Sequence, residues 1–242
     1  MGKGEFSHAI EQILVRFSPD IGKHGYSKIT RPALLMPRLI ATQPGTVLLC
    51  SIGIGCDAMS KPFPEKEFFA LDVGDPPGAT AKAGEGALRV RKLHIASPFN
   101  ARSFVYRTGD MKFTTDYYNG FVTDPDKLLT GQLVSWLSQA GSFDAVVTSG
   151  SEAPHRYVLE GNVTELYGDY CDKANLKAVM KVRFFLLDDS QVETIIVFQK
   201  TYRSQAPLKG DTAEAFPAGL NEVYKQILTD LSKDLPESIQ GR

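Results

Sequence analysis

Four consecutive β-rich segments in the second half of the chain restrict its fold more than any other feature. Branched and aromatic residues favour extended strands in residues 143–148, 156–167, 176–187 and 192–203. These segments follow one another with no helical pattern between them. Strands arranged in this way build a largely antiparallel sheet.

Two helices are expected to pack against this sheet. Asp124 and Pro125 are typical of a helix start, because aspartate caps free backbone N–H groups and proline at the first position loses no hydrogen bond. The apolar residues that follow share one helix face and precede Gly141, a typical helix end: Leu129, Leu133, Trp136, Leu137 and Ala140. A second helix runs to about Leu235, with Pro236 after its end. We therefore expect a single α+β domain, with a largely antiparallel β-sheet and two main α-helices packed on one face.

The hairpin of residues 180–199 carries an alternation that assigns its side chains to two faces. The apolar face holds Met180, Val182, Phe184 and Leu186 on one strand and Val192, Thr194, Ile196 and Phe198 on the other. For both sets to lie on the same face, the loop must have an odd number of residues, such as Asp188-Asp189-Ser190, with a bulge. The opposite face mixes charged and apolar side chains: Lys181, Arg183, Phe185, Leu187, Glu193, Ile195, Val197 and Gln199.

This mixed face has two interpretations. Either one of the helices covers it, or it is a surface for a partner or for self-association. On the second interpretation, the residues expected at the interface are Arg183, Phe185, Leu187, Ile195 and Val197.

The most apolar stretch of the chain, TVLLCSIGIGC at residues 46–56, ends at a cysteine. It is shorter than the roughly 18 residues of a transmembrane helix but has the length of the apolar core of a secretory signal. Gly53-Ile54-Gly55-Cys56 resembles a bacterial lipobox, although Gly53 stands where leucine is usual. We therefore expect lipidation of Cys56, whose acyl chains would anchor the protein stably. The alternative is that residues 47–54 form a buried strand or a short core helix, with Cys56 as a plain buried thiol.

The lipidation hypothesis divides the chain into five parts. Residues 56–66 are polar and contain two prolines, which is typical of a tether. Residues 36–55, which begin with Met36, have the length of a signal peptide, so residues 1–35 are expected to be a non-native extension. The α+β domain then occupies residues 67–237, and residues 238–242 form a tail.

Composition and motifs argue against several functional classes. Lys and Arg number 27 against 28 Asp and Glu, with no long basic block, so no nucleic-acid partner is expected. The chain lacks GxSxG, Walker and HExxH motifs, and its cysteines lack zinc-site spacing. We therefore expect no enzymatic activity, no metal and no cofactor. An alternative is a periplasmic enzyme that uses His94 or His155 with nearby carboxylates.

Several segments carry a resemblance to a known family. They include FFALDVGDPP at residues 68–77, SFVYR at residues 103–107, the helical segment at residues 124–147 and RYVLEGNVTELY at residues 156–167. Together with the closing helix, they resemble the ABC-type transport auxiliary lipoprotein family, the PqiC-like component of MCE-domain lipid transport systems. The chain departs from the family pattern at Asn119-Gly120-Phe121, where an Arg-Trp pair is frequent.

The resemblance implies a non-catalytic periplasmic subunit tethered to a membrane. Such a subunit would dock an MCE-domain protein and its ABC transporter, with a homo-oligomeric ring as one arrangement, in a system that moves phospholipid or another hydrophobic substrate between the two membranes. The expected location of the anchor is the periplasmic face of the outer membrane, although Asp57 after the cysteine favours the inner membrane. The alternative function is a periplasmic lipid-binding carrier, in which apolar side chains under the sheet enclose an acyl chain.

Overall fold

The computed structural model describes residues 65–78 and 86–240 of the chain. Within these residues, nine strands pair into one open, mixed sheet, and two α-helices pack against it. The strands are β1 (Glu67–Phe69), β2 (Ala87–Val90), β3 (His94–Ile95), β4 (Ser103–Gly109), β5 (Lys112–Phe121), β6 (Ala145–Thr148), β7 (Tyr157–Asp169), β8 (Lys177–Asp188) and β9 (Ile195–Pro207). The helices are α1 (Pro125–Ala140) and α2 (Ala215–Gln240), and a short 3-10 helix occupies Ser97–Phe99.

The long strand β7 organises the sheet. On one side it pairs antiparallel with β8, which in turn pairs antiparallel with β9. On its other side, β2, β3 and β4 follow one another along β7 as short parallel pairings. Beyond these, β6 pairs parallel with β2, β5 forms an antiparallel hairpin with β4, and β1 pairs parallel with β5. The long ladders are antiparallel, which confirms the predicted α+β fold and its largely antiparallel sheet.

Both helices pack on the same face of the sheet and bury its apolar side chains. From β8 this face receives a row of fully buried residues: Ala178, Met180, Val182, Phe184 and Leu186. The two helices are also tied to each other. The Tyr224 hydroxyl of α2 donates a hydrogen bond to the Leu129 carbonyl of α1, and the Trp136 indole of α1 donates one to Ser232 Oγ, each over 2.9 Å. Because full burial of one large apolar side chain contributes about 1.5–3 kcal/mol, this layer dominates the stability of the domain.

The helix α1 has the predicted limits, but its start is stabilised in another way. Gly141 follows it in the left-handed conformation, with φ of 68°. Asp124 makes no side-chain capping bond, so its predicted role is wrong. Its carboxylate instead contacts Lys127 Nζ at 2.7 Å and Arg102 Nε at 3.6 Å. The hydrogen bond from Lys127 and the positive charges nearby lower the pKa of Asp124.

The helix α2 extends past the proline that was predicted to follow its end. Pro236 lies inside the helix, which continues to Gln240. Pro217 lies in the first turn, where a backbone N–H has no partner within the helix, so it is tolerated there. The predicted end near Leu235 is therefore wrong.

The β8–β9 hairpin contains a longer loop than the sequence predicted. The loop comprises residues 189–194, and a bulge separates the pair Leu186–Phe198 from the pair Leu187–Ile196. Val192 and Thr194 therefore lie in the loop, and Ile196 lies on the face opposite the one predicted. The wider loop is closed by hydrogen bonds from the Ser190 backbone N–H to Asp188 (3.0 Å) and from the Thr194 hydroxyl to Asp189 (2.7 Å).

Candidate interaction surface

The outer face is the side of β7, β8 and β9 that points away from α1 and α2. Its side chains alternate with those of the core. They include Glu160, Asn162 and Glu165 of β7, Lys181, Arg183, Phe185 and Leu187 of β8, and Ile196, Gln199, Thr201 and Arg203 of β9. Because both helices pack on the opposite side, neither of them covers this face, and that interpretation of the mixed face is wrong.

The structure brings three of the five predicted interface residues together. Arg183, Phe185 and Leu187 follow one another on the outer face of β8; Arg183 is exposed and the other two are half-buried. Ile195 instead pairs with Asp188, and Val197 is the extra residue of the bulge. Ile196, which the sequence assigned to the other face, lies opposite Leu187 on the outer face and is 52% exposed. No local pattern in the sequence marks the position of the bulge.

Charged side chains lie beyond one end of the apolar strip formed by Phe185, Leu187 and Ile196. The Glu165 carboxylate lies 3.6 Å from Lys181 Nζ and accepts a hydrogen bond from Arg203 Nε over 3.0 Å. Partial burial acts to lower the pKa of Arg203, but the hydrogen bond to Glu165 raises it on balance.

Arg183 adds to the positive charge of the outer face. Its Nε donates a hydrogen bond to the neutral hydroxyl of Thr201 over 3.0 Å. Lys181 and Arg203 already share the single carboxylate of Glu165. This part of the outer face therefore carries an excess of positive charge beside its apolar strip.

A shallow cavity of about 300 Å³ adjoins Phe185. Its lining combines one aromatic ring with polar and charged groups: Arg91, Lys92, His94, Glu160, Gly161, Asn162 and Phe185. Arg91 pairs with Glu160, and Lys92 pairs with Asp126 at the start of α1. A cavity that combines an aromatic ring with polar groups can receive a side chain of a protein partner.

Other side chains of types that often bind ligands or take part in catalysis make structural contacts in this domain. Arg107 forms an ion pair with Asp169 and lies 5.6 Å from the ring centre of Tyr167. His155 Nε2 lies 3.8 Å from Asp189, within the polar loop that closes the β8–β9 hairpin. In the ranges that the structure describes, no three potential metal ligands cluster.

Cys171 is an exposed thiol in the β7–β8 connection. Desolvation and the hydrogen bond with Asp169 raise the pKa of this thiol above its ordinary value. Because the thiolate is the nucleophilic form, a raised pKa makes Cys171 less reactive at neutral pH.

Cys56, the predicted lipidation site, lies outside the described residues, as do the predicted extension and signal segment. Across residues 65–78 and 86–240, no helix combines the length and the apolar character needed to cross a bilayer.

The family model of the ABC-type transport auxiliary lipoprotein component matches residues 69–232. The chain belongs to this family. The match begins at the last residue of β1 and extends into the last turns of α2, which confirms the predicted resemblance. The family consists of auxiliary transport components that are lipoproteins, which implies a membrane-anchored periplasmic protein associated with an ABC transport system.

Two crystal structures share the fold of this family member. Protein XCC0632 from Xanthomonas campestris is 18% identical, with a TM-score of 0.64, over 72% of this chain and 98% of that one. An uncharacterized protein is 17% identical, with a TM-score of 0.56, over 71% of this chain and 99% of that one. None of the curated proteins matches the chain.

Proposed function

We propose that this auxiliary lipoprotein is the non-catalytic docking subunit of an MCE-type ABC transport system. The system would move phospholipid or another hydrophobic substrate between the inner and outer membranes, with the ATPase and permease in other subunits. An acylated Cys56 would hold the subunit at the periplasmic face of the outer membrane. Asp57 leaves the inner membrane as the alternative location.

The proposal rests on the composition of the outer face. Its strip of Phe185, Leu187 and Ile196 places partly exposed apolar side chains next to Arg183, Lys181 and Arg203. Aromatic and arginine side chains are enriched where protein interfaces gain most of their binding energy. We assign this face to the MCE-domain subunit, whose contact surface would be acidic around an apolar centre.

The cavities known along residues 65–78 and 86–240 do not have the lining that the carrier alternative requires. Three surface cavities lined by described residues have volumes of about 180, 300 and 350 Å³. Each has charged or hydroxyl side chains in its lining, so none presents the continuous apolar wall that an acyl chain requires. A stoichiometric lipid in native mass spectra of the gently extracted protein would nevertheless favour the carrier.

Binding between the two purified subunits tests the proposal. In calorimetry with the MCE-domain subunit of the same organism, we expect Phe185→Arg to weaken binding at least about tenfold, the loss typical of a central interface residue. Gln226→Arg is the matched control, because it adds the same charge at an exposed position of α2, on the other side of the sheet. Binding should then remain as in the wild type.

Two results would contradict the proposal. Equal binding of the wild type and Phe185→Arg would show that the outer face does not contact the MCE-domain subunit. If Phe185→Arg instead dissociated a homo-oligomer and left binding of the MCE-domain subunit intact, the outer face would be a self-association surface. The mass of the purified protein in solution distinguishes these two results.

A further inference from the structure

Exposed large apolar side chains are concentrated along one edge of the described sheet. We call this group the β5 rim, and it comprises Phe68, Met111, Phe113, Tyr117, Tyr118 and Val122. The other such side chains in the described ranges, Val192, Ile195 and Ile196, belong to the β8–β9 hairpin. In the rim, Met111 at the tip of the β4–β5 hairpin is 96% exposed and Tyr117 is 71% exposed.

A hydrogen-bonded bulge holds the tyrosines of the rim away from the sheet. The ladder between β4 and β5 breaks between the pairs Val105–Thr115 and Ser103–Gly120. Inside this break, the Asp116 carboxylate accepts hydrogen bonds from the backbone N–H groups of Tyr118 (2.9 Å) and Asn119 (3.0 Å). The exposure of Tyr117 and Tyr118 is therefore fixed by the fold.

The same bulge makes the rim a poor site for adding another strand. Only residues 119–121 of β5 pair with β1. Bulges and lysines on an edge strand discourage pairing with another chain, and this edge carries both, with Lys112 at the start of β5. The binding partner of these exposed aromatic side chains is therefore expected to be something other than an added β-strand.

The chain that leads to Cys56 joins the domain at this rim. β1 lies beside β5, and Lys66, immediately before it, places its Nζ 4.3 Å from the ring centre of Tyr117. Cys56 precedes Lys66 by so few residues that even a fully extended chain reaches only about 35 Å. The rim is thus the edge of the domain that is covalently nearest to the proposed anchor.

We propose that the β5 rim rests in the headgroup layer of the membrane that anchors the chain. This inference extends the proposed function and rests on its lipid anchor. Tyrosine is enriched at membrane–water interfaces, and Met111 supplies an apolar tip for shallow insertion. Because the anchor already holds the domain near the bilayer, a weak contact is sufficient to orient it.

The charges of the rim identify the kind of lipid surface. Lys66 and Lys112 are accompanied by Glu67 and Asp110, so the rim has no excess of positive charge. The contact should therefore depend on apolar insertion and show no preference for anionic over zwitterionic lipids.

Tryptophan fluorescence in vesicles with brominated acyl chains tests this inference. The full acylated chain would carry Met111→Trp or Tyr117→Trp, with Ile196→Trp as the matched control at the opposite edge of the sheet. Trp136, which is buried against Ser232, gives a constant background. We expect bromine to quench the tryptophans at 111 and 117 but not at 196. Quenching should be equal in phosphatidylcholine alone and in phosphatidylcholine mixed with phosphatidylglycerol.

The outcomes separate this inference from the anchor itself. If the chain is membrane-bound through Cys56 but neither rim position is quenched, the inference is overturned and the anchor stands. The same holds if the rim cross-links to another protein subunit and stays unquenched. If the native chain is not acylated, vesicles are added to the Cys56→Ala protein that carries Tyr117→Trp. Quenching of the tryptophan at 117 then supports the rim contact, and the absence of quenching overturns it.

A loss-of-contact variant provides a second measurement. Combining Met111→Ser with Tyr117→Ser should weaken vesicle partitioning of the Cys56→Ala protein about tenfold, which corresponds to about 1.4 kcal/mol. Because both side chains are largely exposed, thermal unfolding should remain unchanged. Unchanged partitioning would contradict the inference.

Discussion

Leu187 of β8 lies directly opposite Ile196 of β9, on the face of the sheet that points away from the helices. The next pair, Leu186 with Phe198, lies on the helix side, and Val197 is the extra residue between the two pairs. This relationship places two aliphatic side chains at the end of the apolar strip on the outer face.

A double-mutant cycle should detect this register in solution. We expect Leu187→Ala and Ile196→Ala to be coupled by about 0.2–1 kcal/mol in the free energy of unfolding, as cross-strand neighbours are. Ile195→Ala is the control and should show no coupling to Leu187→Ala, because Ile195 pairs with Asp188. Urea unfolding measures the three single variants and the two double variants that contain Leu187→Ala. If Leu187→Ala were coupled to Ile195→Ala and not to Ile196→Ala, the bulge would not lie where the structure places it.

Binding of the MCE-domain subunit should weaken with salt. As the Debye length falls from about 30 Å to about 8 Å, attraction between the positive outer face and an acidic partner should lose roughly tenfold in affinity. Arg183→Gln should reduce this salt dependence, whereas Lys173→Gln, in the β7–β8 connection, should not. Titrations at several salt concentrations provide the measurement. A salt-independent affinity would argue against an acidic partner surface.

Two glycine-to-alanine substitutions should change stability in opposite directions. A Cβ at Gly161 of β7 would lie 2.4 Å from Leu93 Cδ2 and 2.9 Å from Phe184 Cε1, inside the core. Gly161→Ala should therefore destabilise the domain by about 1–3 kcal/mol. Gly131 is exposed in α1 with no atom within 4 Å of such a Cβ, so Gly131→Ala should stabilise by about 0.5–1 kcal/mol. Denaturant unfolding compares them, and a neutral Gly161→Ala would be inconsistent with this packing.

Asp234 of α2 should make stability depend on pH. Burial acts to raise the pKa of Asp234, but hydrogen bonds from Lys200 and Tyr202 lower it on balance. A lowered folded-state pKa adds stability above the unfolded value of about 4, and this stability is lost as pH falls through the folded pKa. Asp234→Asn should therefore cost about 1 kcal/mol at neutral pH, and the difference should shrink below about pH 4. If the difference in the free energy of unfolding did not change with pH, the pKa of Asp234 would not be lowered by folding.

Replacing the proposed lipidation site should release the protein from the membrane. We expect Cys56→Ala to move it from the membrane fraction to the soluble fraction, because the acyl chains would be lost. Cys171→Ala is the control and should remain in the membrane fraction. Fractionation followed by mass spectrometry checks both. Membrane retention of Cys56→Ala would show that Cys56 is not the anchor.

Local patterns were sufficient to predict some elements and insufficient for others. The limits of α1 follow from Pro125 and Gly141, which act on their own backbone. In contrast, the apolar residues of segment 68–73 favour a strand, but the chain leaves the sheet after Phe69. Its backbone is held by a side chain distant in sequence: Gln132 accepts a bond from the Val73 N–H (3.2 Å) and donates one to the Leu71 carbonyl (2.9 Å).

The candidate site shows the same limit. The alternation along β8 correctly placed Arg183, Phe185 and Leu187 on one face, because strand periodicity is a local property. The bulges in β9 and β5 depend on the neighbouring strands and on particular hydrogen bonds, such as those to Asp116. No pattern of residue types along a single strand contains that information.

The strand order places β9 at one edge of the sheet and β5, with the short strand β1, at the other, with β4, β7 and β8 between them. At the usual spacing of neighbouring strands, these edges are roughly 20 Å apart. With the β5 rim on the bilayer, a subunit bound near β9 would stand at that height above the lipids. The width of the sheet, and not the length of the tether at residues 56–66, would then set the distance between the bilayer and the docked subunit.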